Sequence, residues 1–240
     1  MGKNIADQLV ETLEKAGIKR IYAVTGDSLN EVNEAVRKNG KIQWVHVRHE
    51  ETGAYAAAAE AQLTGLPACC AGSSGPGHVH LINGLYDAQR SGAPVLAIAS
   101  TLPTHEFGTE YFQETNTIKL FDDCSHYNQI ATTPEQFPRM LQAAIQSAVS
   151  SRGVGVIGLP GDLTSQKAVE GASSELPFST KQRVAPSRKE IEELADLLNK
   201  TEKITLFCGI GAKDAHNELA ELSKLLNAPV AYSCLLYTSD

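Results

Sequence analysis

The chain has 240 residues, enough for one large domain or for one domain and part of a second, and its 42% hydrophobic and 20% charged residues suit an ordered globular protein. Its 21 basic and 28 acidic residues give a formal charge of -7 with no basic cluster to offset it, which argues against a nucleic-acid partner. Met1 to Ala6 lacks the apolar stretch of a signal peptide, Ala6 stands where a myristoylation signal needs Ser or Thr, and no apolar run approaches the roughly 20 residues of a membrane span.

In chain order, Ile5, Leu9, Leu13 and Ala16 fall at helical spacing, with Gly17 placed to close the helix in a left-handed conformation. Arg20 to Val24 reads as a strand running into Gly26-Asp27, and Ser28 with Glu31 forms a capping-box pattern that starts a helix ending at Gly40. Ile42 to Val47 is the next strand, and Glu50 to Thr64 is an alanine-rich helix stopped at Gly65. Ala68 to Ala71 is a buried strand, in which the neighbours Cys69 and Cys70 point to opposite faces as packing residues. Five cysteines, an odd number without C-x-x-C spacing, fit a reducing cytoplasm.

A glycine-rich run, Gly72 to Gly77, then leads into a helix from His78 to Gln89, and Pro94 to Ala99 is a strand followed by a long polar loop to Thr115. Tyr127 to Ala131 is a further strand, Thr133, Pro134 and Gln136 open a helix, and Val154 to Leu159 is a continuous apolar strand. Such alternation predicts a parallel sheet with helices on both faces, an α/β domain over residues 1–164. The loops after its strands share one edge, where open sheets of this kind bind ligands. Residues 165–186 lose periodicity and read as a linker. Ser187 with Glu190 then opens a second α/β unit over 187–232: a helix to Asn199, a strand Ile204 to Cys208, a helix through Leu226 and a strand from Pro229.

Three segments have the residue types for chemistry. Arg48-His49-Glu50-Glu51 sets a carboxylate at a strand-to-helix junction on the ligand edge, where the bland alternative is an acid that favours the helix dipole by about 0.3 to 1 kcal/mol. His49 has no metal-ligand partner at useful spacing, and no metal site is expected within the chain. Gly72-Ser73-Ser74-Gly75-Pro76-Gly77 resembles an anion-cradling loop but lacks the Gly-Lys-Ser/Thr ending of a P-loop, so a tight turn explains it equally well. Gly209-Ile210-Gly211 is a partial dinucleotide fingerprint without its third glycine or its acidic residue.

Taken together and in order, these segments are similar to one family. Ala23 to Asn30, Arg48 to Glu51, Gly75-Pro76-Gly77-His78 with Leu81 to Leu85, Tyr111 to Thr115 and Cys124 to Tyr127 resemble the pyrimidine-binding domain of pyruvate oxidases and quinone-dependent pyruvate dehydrogenases. Gly209 to Ala212 is similar to the start of the family's FAD-binding middle domain, and acetolactate synthase is a more distant relative. The resemblance implies thiamine diphosphate, FAD and Mg²⁺ as cofactors and pyruvate as substrate. It implies that the Glu50 carboxyl group contacts the aminopyrimidine ring and promotes the imino tautomer that activates the thiazolium carbon, after which pyruvate is decarboxylated and two electrons pass to FAD. By the same resemblance Gly26, Asp27, Gly75, Pro76 and Gly77 shape the cofactor pocket, Gly209 and Gly211 admit FAD, and Phe112 and Gln113 stand near the reacting centre.

The family holds Mg²⁺ and the diphosphate through a Gly-Asp-Gly motif in a third domain, and no Gly-Asp-Gly occurs here. The sequence is therefore expected to be an amino-terminal fragment, inactive alone, with a non-native tail over 233–240. The family's active sites lie between subunits, so a homo-oligomer, at least a dimer and more fully a homotetramer, is implied. Any peripheral membrane contact would come from a carboxy-terminal region that this sequence lacks. Two rivals remain: an acetolactate-synthase-like carboligase, and a non-catalytic interface module that acts beside a partner chain.

Overall fold

Short β-branched and alanine-rich runs alternate with amphipathic ones along the first two thirds of the chain, and in a computed structural model each becomes a strand or a helix of one layered sheet. Residues 2–171 and 184–233 are described. The chain divides into two compact units, Met1–Lys181 and Gln182–Asp240.

The first unit runs α1 (Ile5–Lys15), β1 (Arg20–Ala23), α2 (Asn30–Asn39), β2 (Gln43–His46), α3 (Glu50–Thr64), β3 (Ala68–Gly72), α4 (Pro76–Val79), α5 (Ile82–Ser91), β4 (Val95–Thr101), α6 (Thr117–Leu120), β5 (Tyr127–Ile130), α7 (Phe137–Ser151), β6 (Val154–Pro160) and α8 (Gly161–Thr164). Its six strands are all parallel in the order β2-β1-β3-β4-β6-β5. Strands β3, β4 and β6 are buried along their whole length, as continuous apolar runs require when helices cover both faces. One core joins α1, α2 and α7 to Ile21, Cys69, Leu96 and Ile157; the other joins α3 and α5 to Cys70, Ala97 and Val156. Cys69 and Cys70 thus face opposite layers, as the strand period demands. Burial pushes both thiols up, that of Cys70 to about 12.

Several elements differ from the sequence expectation for identifiable reasons. Ser28 does not cap α2: a 3-10 turn over Asp27–Leu29 precedes the helix, whose N-cap Leu29 has no side-chain cap. The Ser28 hydroxyl instead accepts the Ser74 backbone N–H at 3.0 Å. The helix expected over His78 to Gln89 is two segments, broken at His80-Leu81, where the Leu81 N–H bonds three residues back to His78. The Thr133 hydroxyl accepts the Gln136 N–H, but the Gln136 side chain accepts from Thr132, and α7 begins only at Phe137, with Pro138 rather than Pro134 in its first turn. Gly40 and Gly65 end α2 and α3 in the left-handed conformation, and Gly17 takes it one residue past the α1 cap.

In the segment expected to be a linker, Lys167 pairs with Asn4 and the Ala168 N–H bonds to the Lys3 carbonyl, so this stretch returns to the start of α1. Residues 172–183 lie outside the described residues, as does the expected tail from 234 onward. The second unit holds α9 (Arg188–Lys200), β7 (Leu206–Cys208), α10 (His216–Leu226) and β8 (Val230–Tyr232), with β7 and β8 parallel. The Ser187–Glu190 capping box forms as read, whereas a 3-10 turn over Ile210–Ala212 delays the second helix to His216. Among the described residues no helix is long and apolar enough to cross a membrane.

Small residues let α3 and α5 pack closely. A Cβ at Gly84 would lie 2.5 Å from Ala54 Cβ and 2.6 Å from the Tyr55 backbone nitrogen, and backbone cannot yield as a flexible side chain can. Gly84→Ala should therefore destabilise the first unit by about 1 to 3 kcal/mol. Trp44, the single tryptophan and a β2 residue, reports the urea transition of this unit; an unchanged midpoint would contradict the close crossing.

Candidate functional site

The chain leaves β1 towards β2 and returns to β3 on the opposite side, so the strand order reverses between β1 and β3. Such a reversal opens a crevice beyond the strand ends. The loops that meet there are cross-linked. Ser28 accepts the Ser74 N–H through its hydroxyl, and its carbonyl accepts the Ser100 hydroxyl at 2.9 Å, which ties the ends of β1, β3 and β4 together. Asp162, after β6, accepts the Thr104 N–H at 2.9 Å and its hydroxyl at 2.7 Å.

Glu50 is the first residue of α3 and only 8% exposed. The helix cap is supplied by His49, whose Nδ1 accepts the Glu51 N–H at 3.3 Å, so the Glu50 carboxylate is not spent on its own helix. Its Oε2 lies 3.0 Å from His80 Nδ1, which must donate if the carboxylate is ionised. Among the described residues Oε1 accepts no hydrogen bond, and it would lie 3.5 Å from a Cβ at Gly77. The imidazoles of His49 and His80 stack, with centroids 4.5 Å apart and planes at 25°. His49, Glu50 and His80 form the one group among the described residues with ligand atoms close enough to hold a metal ion, all within 4.8 Å of one another. Sequence spacing gave His49 no such neighbour; the fold supplies one from the loop after α4.

The glycine loop is shaped by contact with the segment that follows β4. Gly75 has φ +67° and a Cβ there would sit 2.7 Å from Gln113 Cβ, so both sterics and backbone demand glycine. Gln113 itself is left-handed at φ +74° and accepts from the Ser74 hydroxyl at 3.4 Å. Pro76 starts α4, Gly77 is buried, and Gly26 lies against the Ser73 side chain. Asp27 is exposed and accepts its neighbour Ser28 N–H. Phe112 is 71% exposed, and its ring lies beside that of Tyr111. In the second unit, a side chain at Gly209 or Gly211 would meet no atom within 4 Å, so packing within the chain does not demand glycine there.

A cavity of about 770 Å³ lies beside this crevice, under the loop after β4, and His78, Leu102, Tyr111, Gln113 and Thr117 are among its lining. Glu50 does not line it; His78 lines the cavity, and the preceding residue, Gly77, lies beside Glu50. His78, 1% exposed, joins the cavity wall to the sheet. The Ser100 carbonyl, 2.7 Å from Nδ1, can only accept, so Nδ1 carries the proton and Nε2 accepts from the Thr115 hydroxyl. Sequence reading passed over His80 and Ser28 as site residues, because their partners lie 30 and 46 residues away and no short-range pattern marks either pair.

Residues 3–120 match the family described as thiamine pyrophosphate enzyme, N-terminal TPP binding domain. Residues 3–120 thus belong to a family of thiamine-pyrophosphate-binding domains. It is 49% identical over 233 residues to an uncharacterized 42.6 kDa protein of Pseudomonas amyloderamosa, covering 95% of this chain and 58% of that protein. It is 36% identical over 225 residues to pyruvate oxidase of Lactiplantibacillus plantarum, covering 92% of this chain and 37% of that enzyme. Chloroplastic acetolactate synthase of Arabidopsis thaliana is 31% identical over 230 residues, covering 94% of this chain and 34% of the synthase. The chain thus spans only part of the length of these relatives. Thiamine diphosphate suits the crevice: a buried carboxylate with one oxygen free lies beside Gly77, where a side chain would collide with Ser73.

Burial holds the His78 imidazole below the ordinary histidine value of 6.5, its bond to the Ser100 carbonyl opposing this weakly. The unfolded chain then binds the proton more readily than the folded one, so the stabilisation is present above about pH 6.5 and is lost as pH falls towards the folded value. The urea midpoint should drop between about pH 7.5 and about pH 5, and His78→Gln should flatten that drop. Equal losses in both proteins would show that His78 is not the group responsible.

Proposed function

We propose that the full-length protein carries out oxidative decarboxylation of pyruvate with thiamine diphosphate and FAD, giving acetate or acetyl phosphate, and that Glu50 is its catalytic carboxylate. The observation that carries this reading is the placement of Glu50: nearly buried, at the ligand edge of the sheet, with Oε1 open towards Gly77 in a chain whose residues 3–120 match thiamine-pyrophosphate enzymes. When bound, thiamine diphosphate supplies the nucleophilic carbon that adds to the keto group and stabilises the charge left by decarboxylation. Glu50 Oε1 holds and moves the proton on the aminopyrimidine ring, and His80 fixes the carboxylate by occupying Oε2.

Gly26, Asp27, Gly75, Pro76 and Gly77 form the walls that admit a flat ring, and the Gln113 amide is poised for hydrogen bonding at the pocket mouth. Phe112, largely exposed on a single chain, serves as an apolar wall once subunits assemble, and a homo-oligomer follows. Gly209 and Gly211 lie at a strand-to-helix turn where nothing in the chain fills the space of a side chain, which suits close approach of the FAD phosphates. Mg²⁺ and the diphosphate are assigned to a Gly-Asp-Gly segment outside this sequence.

The 31% identity with acetolactate synthase favours one second reading, a carboligase that joins the decarboxylated unit to another keto acid. Both readings use Glu50 and differ in whether the flavin turns over. The full-length protein, loaded with thiamine diphosphate, should bleach its flavin on addition of pyruvate. Glu50→Gln should slow that bleaching by about 10² to 10⁴ while the flavin stays bound. Undiminished bleaching in the variant would remove the assignment of Glu50, and acetolactate formation without bleaching would select the carboligase.

A further inference from the structure

We infer that His49, Glu50 and His80 form a binding site for a single divalent transition-metal ion of the zinc class. Two imidazoles and one carboxylate are the donor set that Zn²⁺ and Co²⁺ take, whereas Mg²⁺ and Ca²⁺ require a shell of oxygens that this group does not offer. The three ligand atoms already lie within 4.8 Å of one another, and the Glu50–His80 pair is at 3.0 Å. Bonds of about 2.0 to 2.2 Å to a tetrahedral ion place ligand atoms roughly 3.3 to 3.6 Å apart, so closing the site needs a shift of about an ångström in the widest pair.

His49 is the residue free to make that shift. Its side chain is 49% exposed, and its hold on the Glu51 N–H is long at 3.3 Å. The stacked arrangement sends the two lone pairs into nearly parallel planes, so the His49 ring must turn for both nitrogens to meet one ion. His80 gives up its Nδ1 proton to the solvent as the metal replaces it on Glu50 Oε2. The remaining coordination positions face the open side, where both imidazoles are half-exposed and water can complete the shell.

Thiols in the same unit are poor competitors for the ion. Cys69, Cys70 and Cys124 are buried, and burial pushes Cys70 to about 12 and Cys124 to about 11, so none offers a thiolate near neutral pH. The site follows from geometry and does not require the proposed function. If that function also holds, ion and pyrimidine ring compete for the same carboxylate, and the metal is an inhibitor.

The test uses the 240-residue chain with the metal alone. Added Co²⁺ should develop the visible ligand-field bands of four- or five-coordinate cobalt, and Zn²⁺ should abolish them with a stoichiometry of one per chain. His49→Ala and His80→Ala, both at partly exposed positions, should each weaken Zn²⁺ binding at least about tenfold, which is 1.4 kcal/mol. Cys208→Ser should leave the binding unchanged. Absence of bands, binding that survives both histidine variants, or binding lost with Cys208 would each overturn the site. No arm uses thiamine diphosphate, so failure here leaves the assignment of Glu50 to the cofactor standing.

Discussion

Ser28 holds the ligand edge of the first unit together. One residue accepts from the backbone of the loop after β3 and from the side chain at the end of β4, and it does so from the loop after β1. Each bond contributes on the order of 1 kcal/mol, but their combined effect is positional. With the three loops drawn together, Gly26 is pressed against Ser73 and Gly77 is brought beside Glu50. Backbone of the glycine loop and one carboxylate are thereby brought together at the crevice.

The electrostatics of the crevice follow from that construction. A helix amino terminus favours negative charge, and α3 begins with two carboxylates, Glu50 and Glu51. Glu51 points to Asn83 and to solvent, whereas Glu50 turns towards His80. Two adjacent acids of the same type thus take different tasks, one structural and one available for ligand chemistry. The helix cap by His49 makes this possible, because it relieves Glu50 of the role that sequence position would otherwise give it.

Much of the first unit is legible in the sequence. The bounds of α3 follow from an alanine-rich run between Glu50 and a left-handed Gly65, and the central strands follow from unbroken apolar stretches. Local patterns misled where a distant partner outcompeted the local one. Ser28 has the spacing of a helix cap, yet a backbone N–H 46 residues away claims its hydroxyl. Gln113 carries no signal of its left-handed backbone, which exists because Gly75 packs against it. Glu50 was readable as an acid at a ligand edge, but His80 was not, since nothing within a helical turn or a strand period links residues 30 apart.

The position of β6 has a bearing on how the chain acquires this structure. The strand sits between β4 and β5, pairing Val95 with Val154 and Tyr127 with Gly155. Until it arrives, β4 has one bare edge and β5 has no neighbour. Contacts of such sequence separation form late, because loop closure must precede their reward. A chain cut before Val154 would leave the apolar edge of β4 without its partner strand, an open edge of the kind along which separate chains pair.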